Sequence, residues 1–154
     1  PNDFPRLMRG LLEEFSAPLV ATIREKITEA SSIVFRPLEA LLMPQPWFKG
    51  RVVLIGDAVH ATTPHLASGA CIGIEDGLVL ADCVGRGGPL PDALQAFQSR
   101  RWERCRMVVE NSLRLGEIEM TNGSKDEHAQ IMRESMMMLA KGLNLLISYI
   151  FKRL

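Results

Sequence analysis

Residues 50–84 read GRVVLIGDAVHATTPHLASGACIGIEDGLVLADCV, and the fold turns on how this stretch is read. Val52, Val53, Leu54 and Ile55 form an apolar run too short for a globular helix. Three of the four are β-branched, which predicts a buried central strand. The run stops at Gly56-Asp57, where a glycine permits close backbone approach and the carboxylate after it supplies an acceptor at the edge of a sheet. Thr62-Thr63-Pro64 then marks a loop, and Ser68-Gly69 marks the switch to helical spacing. Cys71, Ile74, Leu78 and Ala81 recur at threes and fours, and Leu80 and Val84 widen that stripe, so the helix is expected to be buried on most sides. Gly69, Gly73 and Gly77 share a face open to another backbone or a flat ligand. Glu75 and Asp76 lie near the first turn, where the helix dipole favours negative charge.

Upstream, Asp3-Phe4-Pro5 reads as a helix start, with Asp3 as the candidate cap and Phe4, Leu7, Leu11 and Phe15 as one apolar stripe. A second short helix is expected after Pro18. Ser32 to Phe35 and Leu38 to Met43 are consistent with two strands or one bent strand. Trp47 and Phe48 read as a hydrophobic plug. Downstream, Gly85, Gly87, Gly88, Pro89 and Pro91 make a turn that fails the GxGxxG spacing, because Leu90 stands where the third glycine is required. From Pro91 a long helix is predicted, with Leu94, Phe97, Arg101, Cys105, Val108, Ser112 and Leu115 along one seam. Arg100, Arg101, Arg104 and Arg106 around Trp102 read as a solvated, mixed-charge face. After Asn122-Gly123-Ser124 a last helix is expected from about Asp126 to Lys152. Its methionines, Met132 and Met136 to Met138, suit a packing or homodimer face, and Lys141 and Asn144 interrupt any run long enough for a membrane span.

The chain has 154 residues, of which 47% are hydrophobic, enough for a sizeable core. Eighteen basic residues balance eighteen acidic ones, so no bulk field draws it to nucleic acid or an anionic membrane. Cys71, Cys83 and Cys105 are odd in number and lack CxxC pairing, which favours free thiols in a reducing compartment. With no secretory leader at Pro1, the expected location is cytoplasmic. The expected fold class is α/β, mostly helical here: one central strand, a buried helix and two long C-terminal helices. Residues 1–49, 50–84 and 85–154 form the three expected segments.

Most sharp chemistries fail on spacing. His60 and His65 are five apart and do not share a helical face as metal ligands would, so no metal site is expected. Ser68 has no GxSxG elbow. Cys71 stands in the first turn of a helix, where a thiol can be activated, but its apolar neighbours favour an ordinary buried thiol. What survives is a cofactor site. Asp57 can hold polyol hydroxyls, and free N–H groups at Gly69-Ala70-Cys71 can stabilise an anionic or electron-rich ligand.

With those residues in place, GRVVLIGDAVHATTPHLASGACIGIEDGLVLA resembles the second FAD-binding motif of the class A flavoprotein monooxygenases, the aromatic-ring hydroxylases similar to para-hydroxybenzoate and salicylate hydroxylases. The resemblance implies a Rossmann-like FAD-binding fold, of which this chain is the C-terminal part. It implies that Gly56-Asp57 meets the ribityl chain of FAD, that Pro64 lies beside the reacting face of the isoalloxazine, and that the Gly69-Ala70-Cys71 helix start faces its pyrimidine edge. It further implies a nicotinamide coenzyme, NADH or NADPH, molecular oxygen and a small aromatic substrate. His60 and Arg51 fit the motif as structural residues. No strand-GxGxxG-helix unit occurs, so an N-terminal segment that holds the ADP half is the expected missing partner, and the 154 residues alone are expected neither to bind FAD tightly nor to turn over. Another FAD-dependent oxidoreductase of the same fold and a non-catalytic helical dimerisation fragment are the alternatives.

Overall fold

The computed structural model describes residues 3–151, with side chains to residue 142. The chain divides into two compact units, Pro1–Pro37 and Leu38–Leu154. The first holds helices α1 (Phe4–Leu12) and α2 (Pro18–Lys26), each opening on a proline in its first turn, where the missing N–H is not needed. Asp3 precedes α1 but makes no capping bond; its carboxylate is taken by Arg6 one turn on. Arg9 donates to the Ile27 carbonyl at 2.9 Å and pairs with Glu29 at 2.5 Å, tying α1 to the chain beyond α2. Of the expected stripe, Phe4, Leu7 and Leu11 lie on α1, which ends before Phe15, and Leu7, Leu11 and Phe15 are exposed. Ser32 to Phe35 carry no strand, and Phe35 instead lies against Phe4 with ring centroids 4.9 Å apart.

The second unit begins with a small hairpin. Strands β1 (Phe48–Lys49) and β2 (Val52–Val53) pair antiparallel, Phe48 opposite Val53, across a turn in which Gly50 takes φ +60°. This corrects the expected buried central strand. Only Val52 and Val53 are in a strand, Val52 is 64% exposed, and Leu54 adds a single bond from its N–H to the Trp47 carbonyl at 2.9 Å. An apolar run encodes a tendency to be covered but not the strand that would cover it. Leu38 to Met43 are likewise not a regular strand, although the Leu41 and Met43 N–H groups each donate at 2.8 Å to Ala61 and Val59 carbonyls.

Helix α3 (Asp57–His60), a 3-10 turn (Pro64–Leu66) and helix α4 (Gly69–Gly85) follow, then the long helices α5 (Leu90–Met120) and α6 (Lys125–Phe151). The turn into α6 is built from local chemistry. Asn122 adopts φ +50° and Gly123 N–H returns to the Ile118 carbonyl at 2.8 Å, closing α5, while Ser124 Oγ accepts the Glu127 N–H and opens α6. The Lys152 end of the predicted last helix lies outside the described residues.

The predicted α5 seam is the core. Leu94, Phe97, Arg101, Cys105, Val108, Ser112 and Leu115 are all buried, and Trp47, Val59, Leu66, Ile72 and Cys83 pack with the apolar members of that row. Trp47 is the plug the sequence suggested, 1% exposed, with its indole N–H donating to the Met43 carbonyl at 3.0 Å. Helix α4 turns the other way from its apolar stripe. Cys71, Ile74, Ala81 and Val84 are exposed, and the side that faces α5 carries Ile72, Glu75, Asp76, Asp82 and Cys83. The expectation of a helix buried on most sides is corrected: charge pairing with α5, set out below, decides which side is inside. Among the described residues no helix is long and apolar enough to cross a membrane.

Candidate functional site

Gly56 sits between β2 and α3 at φ +59°, ψ −141°, a conformation essentially reserved for glycine. The turn it makes presents Asp57 as the first residue of α3. The Asp57 side chain is exposed and forms no hydrogen bond or ion pair with any described residue. Its carboxylate is therefore free for a ligand. A Cβ on Gly56 would lie 3.8 Å from the Gly73 Cα, so this turn rests directly on the first turns of α4.

What holds the turn is a buried group that sequence reasoning missed. Asp76, fully buried on α4, accepts the Gly56 N–H at 2.9 Å and His60 Nε2–H at 2.6 Å through one oxygen, and Arg101 Nε–H of α5 at 2.7 Å through the other. The second arm of Arg101 donates to Glu75 at 2.8 Å and its third nitrogen to the Ile72 carbonyl at 3.2 Å. Arg104 closes on both Glu75 oxygens at 2.6 Å and crosses to α6, donating to the Met138 and Leu139 carbonyls. Glu75 and Asp76 lie beyond the first turn of α4 instead of at the helix dipole, and Arg101 and Arg104 turn to α4 instead of forming a solvated face, while Arg101 keeps its predicted place in the buried α5 seam. The signal was present in the Arg101 position itself, since a charged residue within an apolar seam has to meet a counter-charge.

Burial pushes the Asp76 carboxyl up, yet the hydrogen bonds from His60 and Gly56 and the Arg101 charge outweigh it and hold the group below its ordinary range. Glu75 follows the same pattern, with burial opposed by Arg104 and Arg101. Both folded-state values lie below the unfolded ones, so the stability they contribute is present above about pH 4 and is lost as pH falls through the folded values. The melting temperature is expected to be flat from about pH 7 to 5 and to drop steeply below about 4. Asp76→Asn should lose part of that slope; equal slopes in scanning calorimetry across a pH series would refute the assignment.

His60, Asp76 and Cys105 place ligand atoms within 4.8 Å of one another. Arg101 already occupies that space with its fixed positive charge, and burial pushes the Cys105 thiol up to about 12, so the trio offers a cation no thiolate.

The remaining sequence-predicted residues line the chain from α3 to α4. Pro64 is exposed at the start of the 3-10 turn, between Thr63 and Leu66, which are buried. The turn ends at Ala67, whose φ of +49° sends the chain into Ser68 and α4. Ser68 makes no capping bond, and its buried Oγ has no partner. The Ile72 N–H is the first to be satisfied within the helix, by the Ser68 carbonyl at 3.0 Å. The N–H groups of Gly69, Ala70 and Cys71 thus stand at an uncapped helix start. Gly69 is half-buried, whereas Ala70 and Cys71 are exposed, which corrects the expected buried Cys71 thiol. Gly69 packs near the Thr62 methyl, where an added Cβ would come within 3.1 Å.

The unpaired Asp57 carboxylate, the exposed Pro64 and the uncapped helix start at Ala70-Cys71 are groups that suit a ligand combining polyol hydroxyls with an electron-rich ring. Comparison with known proteins agrees with that fit: residues 13–112 match the FAD binding domain family. The chain belongs to the FAD binding domain family. FAD is accordingly its cofactor. This FAD binding domain chain is 37% identical over 119 residues to the aurachin C monooxygenase/isomerase of Stigmatella aurantiaca, covering 75% of this chain and 30% of that protein. It is 37% identical over 78 residues to the 3-hydroxybenzoate 6-hydroxylase of Polaromonas naphthalenivorans, covering 50% and 20%. It is 36% identical over 96 residues to the 3-amino-4-hydroxybenzoate 2-monooxygenase of Streptomyces cremeus, covering 62% and 24%. The matches thus span between a fifth and a third of the relatives' own length.

Proposed function

We propose that the full-length protein is a FAD-dependent monooxygenase of Rossmann-like fold that hydroxylates a small aromatic substrate with NAD(P)H and oxygen. The observation that carries the reading is the free Asp57 carboxylate, fixed by the buried Gly56–Asp76–His60 bonds on a turn that rests against α4. The named aromatic hydroxylases among the relatives support the substrate class.

In this reading Gly56 and Asp57 meet the ribityl chain, with Asp57 accepting its hydroxyl protons. Ala70 and Cys71 offer N–H donors, and Gly69 the open approach, to the pyrimidine edge of the ring, where the positive end of α4 favours negative charge. Pro64 lies against the ring face, an apolar contact that keeps water from one side. Reduction by the nicotinamide coenzyme and activation of oxygen are the chemistry the bound flavin supplies. The ADP half has no strand-linked GxGxxG in this sequence to hold it, and we assign it to a further segment of the protein.

The full-length protein is expected to purify with flavin absorbance near one equivalent. Hydroxybenzoate-type aromatics should stimulate both NAD(P)H oxidation and oxygen uptake, with a hydroxylated product detected by mass spectrometry. Flavin reduction or substrate dehydrogenation without oxygen incorporation would replace the monooxygenase by another oxidoreductase of this family.

A further inference from the structure

We propose that Gly116 and His65 form a size-matched seat that fixes the 61–68 loop, and with it Pro64, so that both act as positioning residues of the cofactor site. The inference rests on the placement of Pro64 beside the flavin. Gly116 lies about one turn before the C-terminal end of the 31-residue helix α5 and is buried, still a helical position where alanine is the better helix former. The glycine therefore has to be explained by what it meets. A Cβ there would fall 2.6 Å from His65 Cε1, 2.9 Å from Nε2 and 3.2 Å from Nδ1, so the imidazole occupies the space a side chain would need.

The ring is held from within its own loop as well. His65 Nδ1 and Thr63 Oγ1 are hydrogen-bonded at 2.9 Å, and Nε2 lies 3.7 Å from Glu119, one turn beyond Gly116 on α5. Thr62 Oγ1 shares its proton between the Thr63 carbonyl at 3.3 Å and the Val108 carbonyl at 3.4 Å, the latter two turns earlier on the same helix. The loop is thereby fastened to α5 on both sides of Pro64, whose own side chain stays exposed. A side chain at Gly116 would take the place of the imidazole, and His65 directly follows Pro64 in one tight 3-10 turn.

The test is a double-substitution cycle in the full-length protein, read by FAD titration of the apo form, by the visible flavin spectrum and by hydrogen exchange of residues 61–68. Gly116→Ala is expected to weaken FAD about tenfold or more, to shift the flavin spectrum and to speed exchange in the loop. In a His65→Ala background the same substitution should change FAD affinity by less than about twofold, since the space is then open. If Gly116→Ala alone does not fold, recovery of a folded, flavin-binding protein on adding His65→Ala supports the seat. Wild-type affinity in Gly116→Ala, an equal loss in both backgrounds, or failure of both variants to fold overturns it. Tight FAD binding with a seat-dependent loop but an unshifted spectrum overturns the link to the ring. Wild-type protein that takes up no FAD overturns the cofactor site, and the inference with it.

Discussion

Replacing Arg101 by Met is expected to destabilise the protein by about 3–5 kcal/mol, the cost of stranding the buried Asp76 carboxylate without its arginine and removing one of the two arginines on Glu75. Arg101 is 3% exposed, and its three nitrogens serve Asp76, Glu75 and the Ile72 carbonyl. Methionine fills comparable volume, so the loss reads charge and hydrogen bonding more than a cavity. The melting temperature should fall by roughly 10 °C or more for a chain of this size. Arg101→Lys should recover little, because one ammonium cannot span two carboxylates as the planar fork does. A change below about 1 kcal/mol on denaturant unfolding would mean the pair is not buried as described. The effect should reach the site as well: with Arg101 gone, Asp76 is less firmly anchored, and the Gly56 turn it holds loosens.

The second large effect is expected at Asp57, and in binding rather than stability. Its carboxylate is exposed and engages no described residue, so Asp57→Ala should leave the melting temperature of the flavin-free protein unchanged within about 1 °C. FAD affinity, in contrast, should fall about 10- to 100-fold, the range expected for losing hydrogen bonds to a charged acceptor. Asp57→Asn keeps an acceptor without the charge and should fall between the two. Equilibrium titration of the full-length apoprotein with FAD measures all three. Equal affinities would remove Asp57 from the proposed ribityl contact and would leave the Asp76 network untouched.

These two residues show where the sequence is legible. The turn that exposes Asp57 was readable from its place after an apolar run and a glycine, since such turns depend on local backbone chemistry. The α5 seam was readable, because a row of threes and fours over about six turns has only one face to bury, and the Asn122-Gly123-Ser124 turn carries its capping chemistry in three consecutive residues. The pairing of Arg101 with Asp76 was hidden for the opposite reason. Arg101 stands in the predicted seam, but the counter-charge it meets at 2.7 Å lies 25 positions away. The strand at Val52 to Ile55 failed similarly: pairing is a relation between segments, and only the short hairpin with Phe48–Lys49 is formed.

Taken alone, the sequence determined the three long helices of the second unit, the turns between them, the buried row of α5, and a motif whose residues resemble a flavin site, because each depends on spacing and backbone preference within one stretch of chain. Tertiary structure alone decided which side of α4 is inside, that two carboxylates and two arginines lie between α4 and α5, and that a histidine in the loop occupies the space left by a glycine of α5. Those facts are set by distance between remote residues. Burial converts such distances into energy, since a charge or a methyl group is costly only where no water can make room for it.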